Sequence, residues 1–554
     1  MAGHLLRGRW AWVPQQIERM LDVRQGFALE PIRAEILGPD RLEAHGRSLA
    51  LSQRAGKAAF GRATFYPRLQ SNIRTLRASF HYIAGQAHDG QDVGPASEWL
   101  LDNFHLIDDQ LREIHEGLPA RYYASLPVLQ DAPLVGLPRI YGVAWAFVAH
   151  TDSAFDEALL IHFLNAYQEE RALTQGELWA LPTTLRVVLV ENLRRLADRL
   201  ASHKAARALA SMCAHRIHTF DPDAVRAMHK LMDRRGVGPV FLAHLAQGLA
   251  AHRATTEQVS LATIQAWLQQ AVPDWAALQT QLHADQAADS LSVANAVTAL
   301  RLIGAADWSD TIARTSRVMR VMLASPVFAA EDDATRSTTL HGIERLALRS
   351  GHSEETVARV LLAAMTGATG VASLAGHALA GAGRPALEQA LGMGHRGAAV
   401  ARVWRWATRW ARTPGYLAAI ALGTLLLVAG LLYSAGWVLD PAFSTASTLL
   451  GLLVGLLVLL PASEAVGSVV NRLITESAKP VHLSRFLLAD GIPPTARVMV
   501  VIPALLSHPQ AIAQLVHRLH LHHLANPEPW VQFALLTDWA DADSAVQPGD
   551  AALL

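Results

Sequence analysis

Two aspartates near the end of the chain are the residues best placed for chemistry. Asp538 and Asp541 directly follow Trp530 to Thr537, an apolar run that predicts a short buried strand, and Asp543 comes next. In an open parallel sheet, ligands bind beyond the carboxyl ends of the strands. A carboxylate there can accept hydrogen bonds from a uracil or a ribose, although the same residues also suit an ordinary polar loop.

Metal binding has weaker support in the same region. Asp541 and Asp543 have the spacing of a metal-binding pair, and four histidines lie shortly before them: His517, His520, His522 and His523. Neither group is joined by a cysteine or by a compact carboxylate–histidine pattern, so we assign no metal site. The chain has no G-x-x-x-x-G-K loop and no G-x-S-x-G elbow. Spacing alone therefore identifies no catalytic residue.

The elements that would position these aspartates read as strand, helix and strand. Arg497 to Pro503 predicts the first strand, Ala511 to Leu524 carries apolar residues on one side of a helix, and Trp530 to Thr537 predicts the second strand. This order is the beginning of a parallel sheet.

Two long apolar runs precede this region. Gly415 to Val438 and Ala442 to Ser463 contain no Lys, Arg, Asp or His, and they are separated by a break that contains Asp440 and Pro441. Each run is long enough to cross a hydrocarbon core of roughly 30 Å as a helix. The alternative is a buried helical hairpin in a soluble protein. The lengths favour a transmembrane pair.

The residues that flank the runs predict an orientation. Four arginines before the first run share one helical face, and two tryptophans lie on the opposite face, which suits the headgroup layer; these interface residues are Arg402, Arg405, Trp406, Arg409, Trp410 and Arg412. Basic residues also follow the second run, whereas the intervening break has none. The bias predicts that both outer flanks are cytoplasmic. Val360 to Gly383 is a weaker candidate for a third span, because it consists mostly of Ala, Gly and Thr.

Composition restricts the remaining possibilities. The 48 basic residues balance the 48 acidic ones, which argues against nucleic acid as a partner. Cys213 is the only cysteine, so no intramolecular disulfide can form, and its surroundings indicate a small core residue. The first twenty residues do not resemble a secretory signal, and the region after them is therefore expected to remain cytoplasmic.

From about Pro31 to Gly397 the periodicity predicts successive helices. Trp99 to Glu116 has the clearest apolar stripe, with Asp108 and Arg112 able to pair at four-residue spacing. Thr174 and Glu177 fit a capping box that precedes a long helix. We expect the charged residues of that helix to cover its outward side; they are Glu191, Arg194, Arg195, Asp198 and Arg199.

Several longer motifs resemble the N-terminal region of cyclic β-1,2-glucan synthases. They lie at 98–107, 110–114, 138–152, 176–180, 186–195, 461–464, 491–493, 500–506 and 533–538. The resemblance implies a multi-pass inner-membrane enzyme of Gram-negative bacteria that polymerises β-1,2-glucan from UDP-glucose. It also implies a cytoplasmic GT-A-like glycosyltransferase domain that uses Mg²⁺ or Mn²⁺. By resemblance, Asp538 and, more weakly, Asp541 are nucleotide-sugar contacts; the catalytic residues are expected further along such an enzyme.

The predicted organisation has five parts: a helical cytoplasmic domain (1–397), an amphipathic interfacial helix (398–413), a transmembrane hairpin (414–470), a linker (471–496) and the start of a glycosyltransferase domain (497–554). In one hypothesis the chain is the N-terminal portion of a glucosyltransferase and is inactive alone. Its partners would be UDP-glucose, the glucan chain, the bilayer and a missing C-terminal portion. In the other hypothesis it is a membrane-anchored helical scaffold for a separate catalytic polypeptide.

Overall fold

The computed structural model describes residues 13–21, 30–56, 65–117, 120–123, 125–251, 259–393, 398–436, 445–477 and 483–553. The chain divides into two compact units. The first unit contains Met1–Met322 and Leu340–Arg359, and the second contains Leu323–Thr339 and Val360–Leu554.

Helices dominate the first unit. They are α1 (Gln15–Met20), α2 (Pro39–Ser52), α3 (Phe65–His88), α4 (Pro95–Asp102), α5 (Phe104–Gly117), α6 (Ala120–Tyr123), α7 (Arg139–His150), α8 (Glu157–Glu170), α9 (Gln175–His215), α10 (Pro222–Arg234), α11 (Gly238–Ala251), α12 (Val259–Ala271), α13 (Trp275–Ala305), α14 (Trp308–Thr315) and α15 (Arg317–Met322). Two short strands, β1 (Ala55–Gly56) and β2 (Val128–Leu129), pair antiparallel.

The later elements belong mainly to the second unit. They are α16 (Pro326–Ala329), α17 (Asp333–Ser350), α18 (Glu354–Met365), α19 (Ala375–Leu379), α20 (Arg384–Ala390), α21 (Ala398–Ser434), α22 (Thr445–Ser477), β3 (Val498–Leu506), α23 (Pro509–Ala525), β4 (Val531–Trp539) and α24 (Asp550–Leu553). The described residues are thus mainly helical, as the periodicity predicts. The five predicted domain boundaries stay predictions.

Helix α9 is the centre of the first unit. The predicted capping box at its start is present, since Thr174 accepts from the Glu177 backbone and Glu177 accepts from the Thr174 backbone. The helix continues through Pro182 and contacts α3, α7, α11 and α13. Because it is surrounded by other helices, residues are buried around most of its circumference, and Val188, Val190 and Leu193 are fully buried.

The segment with the clearest apolar stripe differs from its prediction in two ways. A break at Asn103, whose side chain donates to the carbonyl of Trp99, divides it into α4 and α5. The predicted pair of Asp108 with Arg112 is wrong: Arg112 pairs with Asp109, while Asp108 accepts from Arg77 on α3 at 2.7 Å. Sequence spacing could not show this tertiary partner.

Helices α21 and α22 contain the two apolar runs and lie against each other. Tyr416 donates to Asn471 at 2.8 Å. A Cβ atom at Gly423 would lie 2.7 Å from a methyl of Val466, so the missing side chain permits close helix packing. The helices contain candidate spans at Thr413–Ser434 and Leu449–Ser477, each with mean hydropathy 2.2.

Little of either span is buried among the described residues. Only 11% of the most apolar window of the first span is buried, and 6% of that of the second. A buried hairpin in a soluble protein would hide these residues, so the exposure argues against that alternative and indicates association with a membrane. Among the described residues no other helix passes as a candidate span. Residues 360–383 contain the end of α18, a 3-10 turn (Gly370–Ser373) and the five-residue α19, rather than one long helix.

The last elements form the predicted strand–helix–strand unit. Strands β3 and β4 pair in parallel, with Val498 opposite Val531 and Leu506 opposite Trp539, and α23 connects them. The two strands extend two to three residues beyond their predicted ends. A GT-A-like domain around this unit stays a prediction.

Candidate functional site

The candidate site lies where β3 and β4 end. Asp538 lies within β4, one residue before its end, and is opposite Leu505 of β3. It is exposed, and its Oδ1 accepts a 2.9 Å hydrogen bond from the backbone N–H of Trp539. The other oxygen has no protein hydrogen bond among the described residues. This carboxylate is therefore positioned to accept a hydrogen bond from a ligand at the carboxyl edge of the sheet.

Asp541 and Asp543 lie in the loop that follows β4, and both are exposed. Asp541 follows the last residue of β4 by two positions, so it lies close along the chain to Asp538. The described residues contain no group of three or more His, Cys, Asp or Glu that could hold a metal ion. The aspartates at this edge therefore do not fit a metal centre by themselves, and no metal-dependent step is assigned to them.

His508 lies at the same edge and was not singled out from the sequence. It follows β3 by two residues and is the N-cap of α23, where its Nδ1 accepts a 3.1 Å hydrogen bond from the N–H of Ala511. Pro509 follows it and is typical of a first helical residue, so this proline could have identified His508 as the N-cap.

The predicted membrane-interface residues lie at the start of α21. Their backbone is helical and continues directly into the first apolar run. Their side chains, from Arg402 to Arg412, lie outside the described residues, so the basic and aromatic faces stay a prediction.

The first unit contains a buried ionic network instead of the predicted charged outer face on α9. Glu191 is 1% exposed and accepts from Arg68 at 2.6 and 2.9 Å, from Asn72 at 3.0 Å, from Tyr141 at 2.6 Å and from Arg195 at 2.8 Å. Burial by itself raises the pKa of the Glu191 carboxyl. The hydrogen bonds from Arg68 and Tyr141 outweigh burial and lower this pKa to about 2.

Other charged residues of α9 are also inside the unit, so the expectation of an outward charged side is wrong for most of them. Asp198 accepts from Arg235 at 2.8 Å, and both side chains are 4% exposed. Arg194 is 2% exposed. Arg199, although less buried, pairs with Asp289 at 3.0 Å. Arg235 directly follows α10 and Asp289 lies on α13, so periodicity along α9 could not reveal these partners.

A cleft of about 680 Å³ in the first unit has charged walls, which include Arg33, Arg199, His203 and Asp285. Arg33 and Arg199 are both matched by carboxylates. Burial, with Arg199 and Arg207, lowers the pKa of His203 to about 3. His203 is therefore neutral at physiological pH. Cys213 is buried, as predicted for a core residue, and burial raises its pKa to about 12.

The described fold defines a mainly helical protein with two helices long and apolar enough to cross a membrane, followed by a parallel strand–helix–strand unit. No family model matches the sequence. The chain is similar to the cyclic beta-(1,2)-glucan synthase NdvB of Rhizobium meliloti (strain 1021), with 30% identity over 538 residues, which are 95% of this chain. The resemblance to these synthases is thereby confirmed. The chain spans 18% of the length of that relative.

One of the motifs that resemble these synthases contains residues that form buried ion pairs and hydrogen bonds in the first unit. The motif at 138–152 supplies Arg139, which pairs with Glu177 at 2.8 Å, and Tyr141, which donates to Glu191. It also supplies Asp152, which is 4% exposed and pairs with Arg33 at 3.2 Å. These motif residues stabilise the first unit, whereas the motif at 533–538 forms the strand that carries Asp538.

Proposed function

We propose that this chain is the N-terminal, membrane-anchoring portion of a glucosyltransferase that polymerises β-1,2-glucan from UDP-glucose. The observation that carries the proposal is the 30% identity to a cyclic beta-(1,2)-glucan synthase across 95% of the chain. The exposed apolar helices α21 and α22 support the anchoring role. We place the protein in the inner membrane of a Gram-negative bacterium, with the regions on both sides of the hairpin in the cytoplasm, because basic residues flank the hairpin on its outer sides.

The strand–helix–strand unit contributes to nucleotide-sugar binding in this proposal. Asp538 accepts hydrogen bonds from the uracil or ribose of UDP-glucose, and Asp541 is a second contact on the same edge. Both carboxylates are exposed and free to contact a ligand from solvent. The free oxygen of Asp538 supports the first assignment.

The reaction itself is an attack by a sugar hydroxyl on the anomeric carbon of UDP-glucose, which releases UDP. The described residues contain no group of three or more His, Cys, Asp or Glu that could hold a metal ion, and we identify no base for this step among them. We therefore assign the base and a divalent Mg²⁺ or Mn²⁺ ion to other parts of the complete enzyme. The chain alone is expected to bind the nucleotide sugar without transferring glucose.

The test uses the purified 554-residue chain in lipid nanodiscs with radiolabelled UDP-glucose. We expect saturable binding that unlabelled UDP displaces, and no labelled glucan. Absence of binding would contradict the nucleotide-sugar role and would favour a scaffold for a separate catalytic polypeptide. Glucan formed by the chain alone would contradict the assignment of the catalytic residues to other parts of the enzyme.

A further inference from the structure

Glu331 is a carboxylic acid that is buried in the second unit without an apparent structural reason. It lies between α16 and α17 and is 1% exposed. Neither carboxylate oxygen has a hydrogen-bond partner among the described residues. Leaving a buried charged group unsatisfied is costly, so an ionised Glu331 destabilises the arrangement that buries it.

The backbone around Glu331 holds a distant part of the chain. Glu331 forms an isolated antiparallel bridge with Phe486. On either side of it, Asp332 donates to the carbonyl of Arg485 at 2.9 Å, and Leu487 donates to the carbonyl of Ala330 at 2.8 Å. We call these backbone contacts between residues 330–332 and residues 485–487 the latch.

A side-chain contact strengthens the latch. The backbone N–H of Arg485 donates to Oγ1 of Thr335 at 3.0 Å. In the sequence, one side of the latch precedes the hairpin of α21 and α22, and the other side follows it. The latch therefore holds part of the chain between α22 and β3, and Glu331 is itself one of the two bridged residues.

The charged groups around Glu331 do not neutralise it. The positive charge of Arg336 favours the ionised form of Glu331. Its guanidinium, however, pairs with Asp333 at 3.4 Å and donates to the carbonyls of Phe328 and Ala329. Asp332 adds a negative charge. Hydrogen bonds from Thr335, together with the side chain of Arg485 on the other side of the latch, lower the pKa of Asp332. A proton is thus the simplest means of removing the buried charge.

We propose that Glu331 makes the latch sensitive to pH: protonated Glu331 keeps residues 485–487 docked on 330–335, and its ionisation releases them. Burial, with a contribution from Asp332, outweighs Arg336 and raises the pKa of Glu331 to about 7. The sign follows from this direction. The docked state holds the proton more tightly than the undocked state, so docking is strongest at low pH and weakens as the pH rises towards 7.

Such a device would regulate the position of the strand–helix–strand unit relative to the end of α22, both of which belong to the second unit. It requires neither nucleotide nor catalysis, so it can fail while the proposed function stands.

The test is hydrogen–deuterium exchange of the full chain in nanodiscs, corrected for the intrinsic pH dependence of exchange. In the wild type, exchange of the amides of Arg485 and Leu487 should increase roughly tenfold between about pH 6 and about pH 8. Glu331→Gln should remove most of this dependence and keep the segment protected. Asp490→Asn, which removes an exposed acid shortly after the latch, should retain the wild-type profile.

A flat wild-type profile would overturn the proposal, and so would an unchanged pH dependence in Glu331→Gln. Because a polar amide could itself disturb the buried position, Glu331→Met provides a second uncharged variant with the same expected result. If Glu331→Gln misfolds, Glu331→Met decides, because a pH dependence that persists in either folded variant would assign it to another titrating group and overturn the proposal.

Discussion

Arg68 on α3 and Glu191 on α9 form a two-point hydrogen-bonded ion pair, with nitrogen–oxygen distances of 2.9 and 2.6 Å. The carboxylate is almost completely buried, and Tyr141 of α7 donates to it as well. One acid thus connects three helices of the first unit. Because Glu191 is buried, the stability of the first unit depends on its negative charge. The sequence pattern had predicted that this charge lies on the surface.

We expect Glu191→Ala to destabilise the first unit by about 3 to 5 kcal/mol, because it leaves the buried Arg195 and the partly buried Arg68 without their shared carboxylate. Thermal unfolding followed by circular dichroism measures the effect. Glu169→Ala is the matched control, since Glu169 forms an exposed pair with Arg47. A melting temperature no lower than that of the control would show that the network contributes little.

Acid should destabilise the same unit through the same residue. The pKa of Glu191 is lowered to about 2 from an ordinary value near 4.5, so its contribution is complete above about pH 4.5 and is lost as the pH falls through about 2. The shift corresponds to roughly 3 kcal/mol. Melting temperatures recorded from neutral to acidic pH should decrease less steeply in Glu191→Gln than in the wild type. Parallel curves would assign the acid sensitivity to other groups.

Arginines in the apolar helices should reduce membrane association. Leu426 and Leu456 are 65% and 67% exposed, so Arg at these positions would face the hydrocarbon core if the helices span it. Each substitution should cost about 2.5 to 3.5 kcal/mol of insertion free energy at the helix centre. Carbonate extraction of membranes should release more of the double variant than of the wild type. Leu348→Arg, at an exposed position of α17, should leave the extracted fraction unchanged.

Asp538→Asn tests the candidate nucleotide-sugar site. The substitution keeps the shape of the side chain but removes a charged acceptor, and we expect binding of UDP-glucose to weaken about tenfold. Equilibrium dialysis with labelled UDP-glucose gives the Kd. Asp550→Asn, at the partly exposed first residue of the short α24, should bind like the wild type. Equal affinities for all three proteins would exclude Asp538 as a contact.

Much of the local structure could be predicted from the sequence. The capping box at Thr174 and Glu177 determines the start of α9, and the length of the apolar runs indicates α21 and α22. Alternation of strand and helix patterns predicted β3, α23 and β4 within a few residues. These predictions succeed because caps, apolar length and periodicity act between residues that are close along the chain.

The tertiary structure decided which charges are inside. Glu191 and Arg68 are 123 residues apart, and their pairing requires the packing of α3 against α9. The sequence pattern does not distinguish Glu331, whose burial and backbone bridge to Phe486 are set by the tertiary structure. The sequence by itself determined the elements, the candidate membrane helices and the edge that carries Asp538. Only the folded chain determined the surroundings of each charged side chain, because desolvation and ion pairing depend on neighbours that are distant along the sequence.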